Sequence, residues 1–224
     1  MARAKTLTDE TLAKVLAKVD TMSGNPLRDY AAILLSFRGG LRACEIAGLS
    51  WRDVLDAEGK VADTIEIPPG IAKKGAGGTV PMHPAIKATL EAMRSKYPAH
   101  WLGAREPILR GVRQPRLTAN YVQKRLGAIY GACGLIGVTS HSGRRSFLTA
   151  LAQRANEYGC SLKDVQHLAR HDRDALAAAA GARPVRRGRP SGAGPGDQEA
   201  QGGRACWLTP SPSSPSKTVS GRLA

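Results

Sequence analysis

Val138–Leu148 reads V-T-S-H-S-G-R-R-S-F-L and sets His141 and Arg144 three positions apart, just ahead of an apolar run from Phe147 to Leu151. The run has the character of a buried helix. Residues three apart on a helix are neighbours on one face. Arginine offers planar, permanently charged donors that fit phosphate oxygens. Histidine gives or takes a proton near neutral pH. Side by side, the two suit a phosphate. An isolated H-x-x-R is common and mostly structural, so its weight here comes from the residues around it.

Upstream, Thr118 is placed to cap a helix running to about Cys133, with Val122, Leu126 and Ile129 on one face. Residues 99–117 are loop-rich and basic, with Arg105, Arg110, Arg113 and Arg116. Such a segment is suited to follow a phosphate backbone without reading sequence. Pro84 opens another helix through Met93, closed by Tyr97-Pro98. Trp51–Val54, Thr64–Ile67 and Thr79–Met82 read as short strands, rich in β-branched residues and bounded by Asp, Gly and Pro. Between the last two lies I-A-K-K-G-A-G-G, residues 71–78, a glycine-rich hairpin tip carrying Lys73 and Lys74. It reads either as a solvated loop or as a tip that brings a lysine to a polyanion.

Thr8-Asp9-Glu10 signals a helix start, and Leu12, Val15, Leu16 and Val19 follow at helical spacing. Asn25-Pro26 starts a second helix, whose core stripe holds Leu27, Tyr30, Ala31, Leu34 and Leu35; it ends at Gly39-Gly40. Leu41-Arg42 follows directly, then a short helix from Ala43 to Leu49. Arg42 therefore sits in a glycine-flanked turn that lets a ligand approach closely. Spacing alone leaves a second and commoner reading, in which Arg42 pairs with Glu45 across one turn.

Downstream, the helix of the opening stretch extends to about Tyr158, and Gly159 ends it. Ser161-x-x-Asp164 resembles a capping box for a helix with Leu162, Val165 and Leu168 inward, running into His171. His167 and His171 have the spacing of a metal pair. No third ligand cluster accompanies them, so no metal is expected. Beyond His171 the chain changes character. Residues 172–224 hold twenty Gly, Pro or Ser and only six large apolar residues. That composition predicts a low-complexity, disordered tail.

The 224 residues carry a formal charge of +15, with 33 Lys+Arg against 18 Asp+Glu. Residues 1–171 alone hold 25 basic against 14 acidic residues, so the excess does not depend on the tail. This favours a polyanionic partner, with nucleic acid as the default. The four cysteines are widely spaced and form no C-x-x-C, which argues against a disulfide framework or a zinc ribbon. No apolar run is long enough to span a bilayer, and the N-terminus has no signal-peptide pattern, so a cytoplasmic protein without membrane contact is expected.

Four words now stand in order: G-G-L-R-A-C-E-I-A-G-L-S-W around Arg42, A-K-K-G-A-G-G-T-V-P-M around the lysines, S-H-S-G-R-R-S-F, and V-Q-H-L-A-R-H ending in His171. Together they resemble the catalytic domain of the tyrosine recombinase, or phage integrase, family over roughly residues 7–171. The resemblance implies a mainly helical α+β fold with a small antiparallel sheet, and a function in DNA recombination and integration of mobile elements. It implies attack of a tyrosine hydroxyl on a DNA phosphodiester, with a 3′-phosphotyrosyl link and a released 5′-hydroxyl, and no cofactor. Arg42 and Arg144 would clamp the non-bridging oxygens. Lys73, or Lys74 one residue on, would protonate the leaving 5′-oxygen. His141 would assist proton transfer, and His171 would hydrogen-bond the phosphate.

Three departures from the family pattern follow. Only a few residues precede the first helix, where the family usually carries a helical DNA-clamping domain. Arg170 stands where a glycine often precedes the second histidine. No tyrosine follows Tyr158, although the family places its nucleophile shortly after that histidine. The tail has the composition of GC-rich DNA read out of frame, which suggests a frameshifted C-terminus. The expectation is a truncated recombinase domain that binds DNA but does not cleave alone, its partners being duplex DNA and other recombinase subunits. The alternative is a non-catalytic DNA-binding protein or an assembly partner of an intact recombinase. A more distant reading is a type IB topoisomerase-like nickase, which uses the same residues.

Overall fold

The computed structural model of the chain describes residues 5–75, 77–111 and 114–157. Among the described residues six α-helices follow in order: α1 (Asp9–Met22), α2 (Pro26–Phe37), α3 (Ala43–Gly48), α4 (Pro84–Lys96), α5 (Ala119–Ala132) and α6 (Ser142–Glu157). A two-stranded antiparallel sheet, β1 (Thr64–Ile67) and β2 (Gly78–Pro81), lies between α3 and α4. The mainly helical α+β architecture expected from the sequence is the one observed.

Local chemistry explains the helix starts. Thr8 accepts from the Thr11 N–H, Asn25 Oδ1 from the Arg28 N–H at 3.1 Å, and Thr118 from the Tyr121 N–H at 3.1 Å. Each satisfies a donor that the first helical turn leaves open. Pro26 and Pro84 occupy first-turn positions, where a missing N–H costs nothing.

α2 is the axis of the domain. Ala31, Ala32, Ile33, Leu34, Leu35 and Phe37 are all buried, so this helix has almost no solvent face. It packs against α4 and α6, while α3 packs on α5. Each large aliphatic side chain buried this way stabilises the fold by about 1.5–3 kcal/mol. Asp29, 1% exposed, ties three helices together. It accepts from Arg28 Nε and Nη2 at 3.0 Å, from Ser23 Oγ at 2.6 Å and from Arg125 Nε at 2.8 Å. Every lone pair that burial strips of water is thereby re-satisfied.

The sheet pairs Ile65 with Val80, and β1 alternates strictly, with Ile65 and Ile67 inward and Thr64 and Glu66 outward. Its second strand begins one residue earlier than the sequence pattern suggests. Trp51–Val54, expected as a strand, is instead a 3-10 turn over Trp51–Asp53. The reason is local. The Asp53 carboxylate accepts from both the Ser50 N–H at 2.8 Å and the Ser50 hydroxyl at 2.6 Å, folding the backbone back on itself. Trp51 is still fully buried, and its Nε1 donates to the Trp101 carbonyl at 3.0 Å. Among the described residues, no helix is long and apolar enough to cross a membrane.

Candidate functional site

The turn after α2 is built around Gly40. Its φ of +63° belongs to the left-handed region, which favours glycine. A Cβ there would overlap the Phe147 ring of α6. One residue type thus satisfies both the backbone bend and the close approach of α6. The α6 helix also closes on α2 at Gly143, where a Cβ would lie 2.6 Å from Ser36 Oγ and 3.3 Å from the Phe37 nitrogen. These two contacts seat the start of α6 against the end of α2.

Arg144 contacts this turn, and Arg42 follows it in the chain. Arg144 is 7% exposed, and its Nη1 donates to the Gly40 carbonyl, two residues before Arg42. Arg42 precedes α3. Its backbone N–H donates to Glu45 Oε2 at 2.7 Å, and its Nη1 donates to Glu45 Oε1 at 2.9 Å. Glu45 is fully buried. The Arg42–Glu45 pair that spacing suggested is therefore present, and it fixes the guanidinium in place. Pairing is also what makes a half-buried arginine tolerable.

His141 is the exposed residue immediately before α6. Its backbone is held from both directions. Its N–H donates to Thr139 Oγ1 at 3.3 Å, and its carbonyl accepts from the Arg145 N–H at 3.0 Å. Ser142 is fully buried, and its hydroxyl accepts from the Thr139 N–H at 3.0 Å. One turn later Ser146 Oγ donates to the Ser142 carbonyl at 3.0 Å and accepts from the Leu7 N–H at 2.6 Å. This link between the entering chain and α6 went unread in the sequence. Ser146 ends a polar S-G-R-R-S run, and nothing in its sequence context marks it as a partner for Leu7.

Lys73 lies exposed in a 3-10 turn, Lys73–Gly75, between the two strands. The backbone of Lys74 shares that turn, and its side chain lies outside the description. His171, Arg113, the Ser161–His171 helix, His167 and the tail fall outside the described residues. The basic segment divides by role. Arg105 is exposed. Arg110 is bound to Glu106 and stands 5.1 Å over the Trp101 ring, and Arg116 Nη1 donates to the Gly48 carbonyl at 2.6 Å. Arg110 is thus committed to its own loop. Among the described residues, no group of three or more His, Cys, Asp or Glu side chains is arranged to hold a metal ion.

Near this turn stand Arg144, Arg42 with the Glu45 carboxylate it is paired to, and the N-terminal end of the 16-residue α6. Guanidiniums and helix N-termini are groups that suit an oxyanion.

Known proteins resemble this chain in sequence and in fold. Tyrosine recombinase XerC of Nitrobacter winogradskyi is 33% identical over 152 residues, covering 64% of this chain and 42% of that protein. XerC of Bradyrhizobium diazoefficiens is 31% identical over 172 residues, covering 71% and 49%. The chain spans about half the length of the curated relatives it matches. Among solved structures, the XerA recombinase aligns with TM-score 0.57 at 16% identity, over 78% of this chain and 57% of that one. A lambda integrase dimer bound to a COC′ core site gives TM-score 0.57 at 20% identity, over 84% and 52%. The Tn1549 transposon integrase with circular intermediate DNA gives TM-score 0.60 at 17% identity, over 83% and 63%. At these identities the structural likeness speaks for the fold. The family model for the phage integrase family matches residues 5–179, well over half of the sequence, and the chain belongs to that family.

Proposed function

We propose that this chain is the phosphate-binding catalytic domain of a site-specific DNA recombinase and that it does not cleave DNA by itself. The observation that carries the reading is the corner just described. Arg144 is seated on the Gly40 carbonyl, and Arg42, two residues further along the chain, is oriented by the buried Glu45. In this reading they bind the non-bridging oxygens of a scissile phosphate. His141, exposed at the α6 start, assists proton transfer, and His171 hydrogen-bonds the same phosphate. Lys73, with Lys74 as the adjacent alternative, gives its proton to the leaving 5′-oxygen. Arg105, Arg113 and Arg116 follow the flanking backbone. Duplex DNA and further recombinase subunits are the partners; in support, lambda integrase has been solved as a dimer bound to a COC′ core site and as a tetramer bound to a Holliday junction.

The attacking group comes from elsewhere. No tyrosine lies between His171 and residue 224, and the serines and threonines there begin only at Ser191. In-line attack demands an oxygen held close to the phosphorus. A tyrosine supplied by a neighbouring subunit would form the P–O bond as the bond to the 5′-oxygen breaks. The missing tyrosine also favours a second reading, a DNA-binding assembly partner without chemistry.

A nicked suicide duplex separates these readings. The chain alone is expected to shift the duplex without forming a covalent adduct. Mixed with an intact recombinase whose own arginine and histidine site is disabled, it is expected to restore cleavage. No restoration favours the binding partner. An adduct formed by the chain alone overturns both.

A further inference from the structure

Gly48, the last residue of α3, is where the lysine loop and the segment before α5 meet that helix. A Cβ at this residue would lie 2.5 Å from Ile71 Cγ2 and 2.7 Å from Ile71 Cβ, so Ile71 fills the space that glycine leaves. The neighbouring atoms include a branched Cβ, which cannot swing away as the end of a long side chain would. The Gly48 carbonyl accepts from Arg116 Nη1 at 2.6 Å, bringing in the segment before α5. Lys73 follows Ile71 by two residues, and Arg42 lies one residue before α3, the helix that Gly48 ends.

The stretch between β1 and β2 is internally bonded. The Ile71 N–H donates to the Pro68 carbonyl at 3.1 Å, the Gly75 N–H to Ala72 at 3.2 Å and the Gly77 N–H to Gly75 at 2.9 Å. These bonds set the shape of the loop, and none of them sets its position relative to α3. Ile71 packs against the core from within this loop.

We infer that Gly48 and Ile71 are positioning residues whose contact sets where the lysine loop stands relative to Arg42. The functional meaning rests on the proposed role of Lys73 as proton donor. The contact itself is independent of that role. A general acid must reach its oxygen within hydrogen-bond distance, so a displaced loop would silence a lysine that is chemically intact.

Hydrogen exchange on the full chain tests the joint directly. In Gly48→Ala and in Ile71→Ala, amides of residues 70–77 should exchange about tenfold faster, while α3, β1 and β2 keep their rates. Ile71→Val keeps Cγ2 and should match the wild type. Unchanged loop rates in both alanine variants overturn the inference, and so does faster exchange throughout the domain. Should Gly48→Ala fail to fold, Ile71→Ala decides, because it removes atoms without adding any. A second arm measures acylation of Lys73 with and without duplex DNA. Duplex should protect Lys73 in the wild type and not in Ile71→Ala, a change that mere core packing would not produce. Loop loosening without any protection in the wild type leaves the joint standing and removes Lys73 from the DNA contact.

Discussion

Arg42 and Lys73 are assigned to the same phosphate, yet one is gripped and the other faces water. Arg42 is held through its backbone and its guanidinium by a carboxylate with no solvent exposure. Arg144 is pinned to a backbone carbonyl. Lys73 is exposed in a short 3-10 turn. The difference matches the work proposed for each. Charges that bind the ground state and transition state gain from being fixed beforehand, because no ordering cost remains at binding. A proton donor acts on one oxygen late in the reaction and gains from approach.

The strongest way to break this contrast is to remove the grip. Glu45→Ala should lower stability by about 3–5 kcal/mol, because it takes the buried carboxylate away from a largely buried guanidinium. Lys73→Ala should stay within about 0.5 kcal/mol of wild type. Chemical denaturation of both variants checks this, and equal losses would erase the distinction. Next, Arg42→Lys keeps a cation beside Glu45 and gives up the planar fork. Duplex affinity should fall about tenfold, or about 1.4 kcal/mol, with folding retained. An unchanged affinity by titration would place Arg42 away from the phosphate. Arg42→Ala is the blunter tool, since it would leave Glu45 buried without this partner.

A smaller effect sharpens the same contrast within the basic segment. Arg105→Ala should reduce the slope of log affinity against log salt by about one and leave stability unchanged. Arg110→Ala should do the reverse, because Arg110 is spent on Glu106 and Trp101. The smallest effect is a pH dependence. His83 caps α4, its Nδ1 accepting from the Ala85 N–H at 3.1 Å. Burial, with the nearby Arg38 charge next, lowers its pKa below the usual histidine value. The unfolded chain therefore binds this proton more readily, and stability rises with pH. The contribution should be complete above about pH 6.5 and decline as pH falls toward the lowered folded value. A melting-temperature loss on the order of 1–2 °C is expected across that window, absent in His83→Asn.

Much of the fold was legible because helix starts are written in local chemistry. Thr8, Asn25-Pro26, Pro84 and Thr118 open their helices where the sequence placed them. Trp51–Val54 was misread because its residue types suit a strand, while the Ser50–Asp53 bond that curls it is a pair interaction, invisible to propensity. The site divides in the same way. The words around Arg42 and Arg144 named the residues. That Arg144 reaches the Gly40 carbonyl across 104 positions needed the packed structure. So did the Asp29 knot, which joins Ser23, at the C-cap of α1, to Arg125 of α5.

The bond from the Leu7 N–H to Ser146 Oγ has a mechanical consequence. It fastens the chain ahead of α1 to α6 one turn inside its start. A pull on residues before Leu7 is then loaded onto α6 rather than absorbed by α1. The close contact of Gly143 with Ser36 acts as a fulcrum for that load. Arg144 is moored at Gly40, and the turn that bears His141 is bonded on both sides, so the start of α6 takes the load as one piece. Tension in the leading segment would move His141 and Arg144 together rather than one past the other.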